Sequence, residues 1–287
     1  RPIIDAIAHA SENRQMSHVN LNPIYIGTNK IGGPYIDYLR DAISEMNLPF
    51  ISYDHYPAHE VLNTETNTWE KEFRLDFYSN FEQARQVARE NGIPFWAFCM
   101  CSAHDFPNDP NNRYTAPTQG LLNLEAYAAL AYGAQGLQYY RISAVSWSGV
   151  QFHDVPVDEN GNTNFVWEYV KKINLDIQKH ASIFLGNNVL NVWHTGTIPE
   201  GTRKLTTPPY PFTSISGNRP EGLIVSYFIN GTRNFLMVVN KDYKYAQTVE
   251  IKRSSDVRRV NENGAFVRDN RVSFSIPEGG YMLFTWI

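Results

Sequence analysis

Two aspartates stand where this chain could do acid–base chemistry. Asp54 lies in the run Ser52–Tyr53–Asp54–His55–Tyr56, and Asp105 follows His104. Each closes a short apolar run, and each has aromatic and imidazole neighbours. Asn22, His55, Tyr56, Cys99, His104, Tyr139, Arg141 and Trp147 fall at equivalent places, at or just past the ends of such runs. Carboxylates, amides and rings around a concave surface suit a sugar. Hydroxyl groups take paired polar partners, and the apolar faces of pyranose rings take aromatic platforms. A carboxylate in that setting can act as a general acid, a general base or a nucleophile.

Each of these residues also has a purely structural reading. Asp54 and Arg141 could form an ion pair. His55, next to a proline turn, could be a hydrogen-bonded turn residue. Asp105 and Asp109 sit among turn formers and could cap turns. Trp96 fits a core position, whereas Trp147, flanked by Ser146, Ser148 and Gly149, fits an exposed platform. The histidines lack metal-ligand spacing, no glycine-rich phosphate loop follows a strand, and no Gly-x-Ser-x-Gly elbow is present. Cys99 has no histidine partner in register. No metal and no cofactor is expected.

The elements that must hold these residues alternate between strand and helix. Apolar spacing predicts a helix over 3–16 and strands over 18–26, 49–56, 95–101 and 136–142. Helices are predicted over 35–46, 73–91, 119–132 and about 164–183. Residues 58–71 read as irregular, and 102–118 as a polar loop. Four such units make half of a TIM-type (β/α) barrel, where chemistry sits at the C-terminal strand ends. Side-chain alternation then turns Asn20 and Asn22 inward, with Ser52, Asp54 and Tyr56. It also turns Ala97, Cys99 and Cys101 inward and packs Trp96, Phe98 and Met100 against helices. Leu137, Tyr139 and Arg141 share a face, with Tyr139 and Arg141 at the mouth.

From about residue 186 the pattern changes to short alternating runs at 189–193, 223–229, 235–240, 248–252, 272–276 and 281–286. Asn230-Gly231 marks a hairpin. The expected organisation is therefore α/β barrel units over 1–185 and a small all-β sandwich over 186–287. The formal charge of −4 and the lack of a basic block argue against nucleic acid. No apolar stretch approaches the ~20 residues of a membrane span. Aromatic residues make up 14% of the chain, enough for both a core and sugar-stacking surfaces. Cys99 and Cys101 read as free buried thiols. The chain opens on Arg1 rather than Met, so the missing leader carries no weight.

These runs resemble a known family. PFWAFCMCSAHD and AYGAQGLQYYR, within Pro94–Arg141, look like the last two β/α units of retaining (β/α)8 glycosidases. They are most similar to the family 42 β-galactosidase-like proteins and related glycoside hydrolases of gut Bacteroides. ISYDHYP resembles the preceding strand, and the tail around MVVNKD resembles the sandwich such enzymes carry. The resemblance implies a glycosidase acting on an oligosaccharide or polysaccharide, in the periplasm or outside the cell. It also implies a nucleophilic glutamate at the end of the seventh strand, where this chain aligns Cys99. The general acid would be a glutamate after the fourth strand, which would fall before Arg1. Three outcomes follow: a glycosidase or part of one using Asp54 or Asp105, a barrel that binds sugar without cleaving it, or a half-barrel completed by a second copy or an N-terminal half.

Overall fold

Pro23 has no amide hydrogen to offer a strand ladder, and the first parallel strand stops short of it. β1 is only Asn20–Leu21, and a 3-10 turn at Ile24–Ile26 follows, its first amide taken by Asn80 Oδ1 at 2.8 Å. The strand expected over 18–26 is shorter for this reason. The structure, a computed structural model, describes residues 6, 9–10, 18–144 and 149–287. The helix expected over 3–16 lies outside the described residues except for Ala6, His9 and Ala10, and Trp147 lies outside them too.

A short helix α1 (Thr28–Ile31) leads into α2 (Tyr35–Met46), which buries Tyr35, Leu39, Ala42 and Ile43 as one stripe. β2 (Ile51–Tyr53) follows. The segment expected to be irregular is instead a hairpin, β3 (Ala58–Asn63) and β4 (Thr68–Phe73). Its turn is set by Asn63, whose Oδ1 accepts from the amides of Glu65 and Thr66. α3 (Asp76–Asn91) ends at Gly92 in the left-handed region. β5 (Phe95–Met100) comes next. The expected loop after it contains β6 (Ala103–Asp105) and β7 (Asn112–Tyr114). α4 (Gln119–Tyr132) is capped by Thr118, whose Oγ1 accepts from Leu121 N at 3.1 Å. β8 (Gly136–Tyr140), β9 (Gln151–His153), α5 (Phe165–Lys179) and α6 (Ala181–Phe184) complete this part.

β1, β2, β5 and β8 pair in parallel, in that order. Each new strand joins the edge of the last, and α2, α3 and α4 pack into one core with Ile51, Tyr53, Phe95, Ala97 and Cys99. Sequential pairing with helices on one face is the winding of a (β/α) barrel, and four strands make part of one.

This core corrects the expected alternation on β5 and β8. Ala97, Cys99 and Cys101 were expected inside, but they pack in the core shared with α4. The reason is space. From Gly120 onward α4 is buried along its whole length and rich in alanine, so it lies close to the strand and admits only small side chains. Trp96, Phe98 and Met100 therefore take the concave face. Tyr139 pairs opposite Cys99 and follows it to the helix face, where its hydroxyl donates to Asn174 Oδ1 of α5 at 2.9 Å. Tyr140, opposite Met100, faces the concave side. Trp96 is stacked on Phe50, with ring centres 4.3 Å apart, and lies over Gly136, where a Cβ would come within 2.6 Å of the indole.

The rest of the chain is antiparallel: β10 (Asn188–His194), β11 (Phe212–Gly217), β12 (Leu223–Asn230), β13 (Arg233–Asn240), β14 (Gln247–Arg253), β15 (Arg258–Val260), β16 (Phe266–Val267), β17 (Ser273–Ile276) and β18 (Tyr281–Trp286). They form one six-stranded sheet, β10-β12-β13-β18-β15-β16, and one three-stranded sheet, β11-β14-β17. The larger sheet is buried on both faces. Leu223, Val225, Leu236 and Val238 meet the smaller sheet, while Ile224, Phe228, Met237 and Val239 join the helical core. Ser226, buried in that second face, donates to Ala131 O at the end of α4 at 2.6 Å.

The chain after β13 buries Lys241 at this junction. Its ammonium donates to Thr197 O and lies 5.9 Å from the centre of the Tyr78 ring on α3. Burial pushes it down to about 7, from the ordinary 10.5. Between those two values the unfolded chain holds a proton that the folded chain does not, so this group makes stability rise with pH across that window. Below pH 7 the full cost of the buried charge is present. Lys241→Met should therefore remove a pH-dependent part of the stability. The difference in Tm between variant and wild type should change steadily from pH 7 to 10.5 and level off outside that range. A difference constant with pH would show that Lys241 keeps its ordinary affinity for protons.

Candidate functional site

At the C-terminal ends of the parallel strands, Asp54 follows directly on β2. Its Oδ1 accepts from Asn20 Nδ2 of β1 at 2.6 Å. Asn20 Oδ1 in turn accepts from Ser52 Oγ at 3.0 Å, and Gln138 Nε2 of β8 donates to the same Ser52 Oγ at 2.9 Å. A polar chain thus crosses the concave face of the sheet and ends on the carboxylate. No ion pair joins Asp54 to Arg141. Burial pushes the Asp54 carboxyl up, against the pull of the Asn20 amide. Tyr25, Tyr56 and Tyr140 are raised first by burial, and the nearby charge of Asp54 adds to it. The charge of Asp54 is thus felt by these three phenols.

The loops after β2, β5 and β8 do not stay loops. They assemble a five-stranded antiparallel sheet, β4-β3-β7-β6-β9, standing over the mouth. Strand alternation gives it two faces. His104, Tyr114 and Phe152 share one, being cross-strand partners, and this face covers the concave end of the barrel strands. Tyr56 stacks on Tyr140 at 5.9 Å and meets Tyr114 edge-on at 5.9 Å. His104 lies 4.7 Å from Tyr114 and 5.0 Å from Phe152. Burial pushes its imidazole down to about 4, so it is neutral around pH 7. Arg74 ties the cluster together, donating to Tyr114 Oη at 3.2 Å and lying 4.7 Å over the Tyr25 ring. Tyr56 Oη, buried here, has no partner among the described residues.

The expected site residues fall into three groups. Asp54, Tyr56, His104 and Arg141 are brought together; the Arg141 guanidinium lies 4.7 Å over the Phe152 ring. Asn22 is exposed just beyond β1, its amide donating to Tyr38 Oη at 3.1 Å. His55, Cys99 and Tyr139 are turned away. His55 is buried against α3, its Nε2 3.0 Å from Asp76 Oδ1, so it is the hydrogen-bonded residue of the structural reading. Burial raises the Cys99 thiol well above its usual range, and Glu125 of α4 adds to this. Asp105 shares the far face of the loop sheet with Arg113 and Gln151, 3.5 Å from His153 Nε2. Trp147 is outside the described residues. Among the described residues, no group of three or more His, Cys, Asp or Glu side chains could hold a metal ion.

Sequence reasoning missed Asn20 as the carboxylate's partner, and it missed Tyr25, Tyr140 and Phe152. The hydrogen-bonding capacity of Asn20 beside an inward strand position was a usable signal. Phe152 was invisible because the loop sheet was, Tyr25 because the 3-10 turn replaced the expected strand, and Tyr140 because its face is set by pairing with β5. The two neighbouring tyrosines of β8 provide a test. Tyr140→Ala should weaken sugar binding by about tenfold or more. Tyr139→Phe should leave binding unchanged and cost about 1 kcal/mol of stability, through the lost bond to Asn174. Calorimetry and thermal unfolding on both variants would show whether the assignment is reversed.

Residues 6–180 match the profile of the β-galactosidases of glycoside hydrolase family 42. No curated protein matches the chain. Among solved structures, the β-galactosidase of Bacillus circulans sp. alkalophilus superposes with a TM-score of 0.57 at 11% identity, over 93% of this chain and 63% of that one. Gan42B, a family 42 β-galactosidase from G. stearothermophilus, gives a TM-score of 0.45 at 9% identity, over 84% of this chain and 60% of that one. The chain thus spans less than two thirds of the length of these proteins. The likeness to the B. circulans enzyme is one of fold: TIM-barrel units followed by antiparallel sheets. With the profile covering more than half its length, the chain belongs to glycoside hydrolase family 42.

Proposed function

We propose that this protein is a glycosidase acting on a β-galactoside, and that Asp54 is the carboxylate this chain contributes to the cleft. One observation carries the reading: a half-buried carboxylate, fixed by Asn20, stands at the C-terminal strand ends, where Tyr56 and Tyr140 stack on each other. The phenol rings offer stacking surfaces for a pyranose. Arg141, partly exposed beside Phe152, offers hydrogen bonds to its oxygens. A carboxyl raised by burial is better able to hold a proton at working pH, as a general acid must.

The alternative, a cleft that binds sugar without cleaving it, draws support from Cys99. The family resemblance aligns Cys99 with the nucleophile, yet its thiol is buried in the helix layer. An aryl β-galactoside assay separates the two readings. Asp54→Asn should lower kcat by about a hundredfold or more with little change in KM. Unchanged turnover would remove Asp54 from the chemistry. Binding by calorimetry with no galactose released by the wild type would favour the non-cleaving barrel.

A further inference from the structure

We propose that Trp69 is the platform of an outer sugar subsite on the far face of the loop sheet, taking one pyranose ring of a longer oligosaccharide. β4 is an edge strand whose Thr68, Glu70, Lys71 and Glu72 are exposed. Its indole is nevertheless held by a deliberate construction. Glu60 of β3 is only 5% exposed, and its Oε2 accepts from Arg113 Nε at 2.8 Å and from a second Arg113 nitrogen at 2.7 Å. Arg113, so fixed, lies 4.0 Å over the Trp69 ring. A buried carboxylate is costly unless it is paired. What this pair secures is the orientation of one aromatic ring on a surface where a free indole would rotate. A ring fixed in advance loses little entropy when a ligand stacks on it.

The indole lines a groove of about 280 Å³ together with Phe106, Asp105 and Gln151. That is just below the range for drug-sized ligands and suits a single ring. Aromatic walls with a carboxylate and an amide beside them match the apolar face and the hydroxyl rim of a sugar. An acidic ligand would meet Asp105. A wholly apolar one would take water from Asp105 and Gln151 without replacing its hydrogen bonds. The groove and the mouth lie on opposite faces of the loop sheet. In β6, His104 faces the mouth and Asp105 the groove; in β9, Phe152 and Gln151 divide in the same way. A chain held at Asp54 would reach Trp69 by passing round the edge of the sheet, where β4 is the outermost strand. The choice of a sugar rests on the reading proposed above; the groove itself does not.

Calorimetric titration in the Asp54→Asn background, where the probes are not cleaved, tests this with methyl β-galactopyranoside and with β-linked galacto-oligosaccharides from disaccharide to hexasaccharide. With Trp69 intact, affinity should rise with chain length. Trp69→Ala should abolish that rise, about tenfold for the longest probe, while leaving the monosaccharide affinity unchanged. Trp69→Phe, which keeps a ring and guards against a folding defect, should retain part of it. Tyr140→Ala should do the reverse, weakening the monosaccharide and preserving the gain with length. Affinity independent of length, or a gain untouched in Trp69→Ala, overturns the outer subsite and leaves the mouth standing. A Trp69-dependent affinity for long probes without monosaccharide binding supports the subsite and removes the mouth. Failure of every probe to bind overturns both.

Discussion

Helix α4 is the constraint on which the rest of the structure depends. It is buried on every side, between the parallel sheet and the six-stranded antiparallel sheet, and its sequence is correspondingly apolar all round rather than striped. Close packing on both sides requires small residues. Gly120 leaves no room for a Cβ beside Tyr243 O, at 2.2 Å, and Gly133 lies against Val189. The one carboxylate on the helix, Glu125, is fully buried and accepts from Met100 N at 2.6 Å. That amide sits at the end of β5, beyond the part of the strand that pairs with β2. Burial pushes Glu125 well up, so the helix fastens the end of its strand with a carboxyl biased towards its neutral form.

From this contact the site follows. Because α4 lies so close to β5, the strand offers it Ala97 and Cys99 and sends Trp96, Phe98 and Met100 to the concave side. β8 is paired to β5 residue by residue, so its alternation is inherited, and Tyr140 rather than Tyr139 reaches the mouth. Ser102 locks the two strand ends together: its Oγ accepts from Arg141 N at 3.1 Å, and the Cys101 amide donates to Tyr140 O at 2.7 Å. The aromatic mouth is thus a consequence of helix packing some distance below it.

The chain announced its local structure and concealed its long-range pairing. Helices α2 to α5 were readable because apolar spacing and the glycines at 92 and 133 act within a few residues. The Asn230-Gly231 hairpin was readable for the same reason. The position of Asp54 at a strand end was also legible. The face of β5 was not: Phe-Trp-Ala-Phe-Cys-Met alternates equally well with either set inward, and only the surface of α4, remote in sequence, decides. The loop sheet was hidden because β6 and β7 are three residues each. Such strands carry too short a pattern to register, and they exist only because β3 and β9 supply partners from other loops.

That same sheet decides between the two carboxylates the sequence offered. A retaining glycosidase needs its two carboxyls about 5–5.5 Å apart, and an inverting one about 6.5–9.5 Å. Asp54 faces the mouth, whereas Asp105 is one residue from His104 and therefore on the opposite side of the strand. To bring Asp105 inward, β6 would have to slip by one position. That slip would push a carboxylate into the rings of Tyr114 and Phe152, in the pocket His104 now fills as a neutral imidazole. Desolvating that charge among the rings costs several kcal/mol, which a new pairing with Arg74 or Arg141 would have to offset. The slip would also break the pairing of Asp105 with Arg113 and Gln151. Asp105 is thus held to the outer face by the aromatic packing that builds the mouth, and any carboxyl that works with Asp54 must approach from another element.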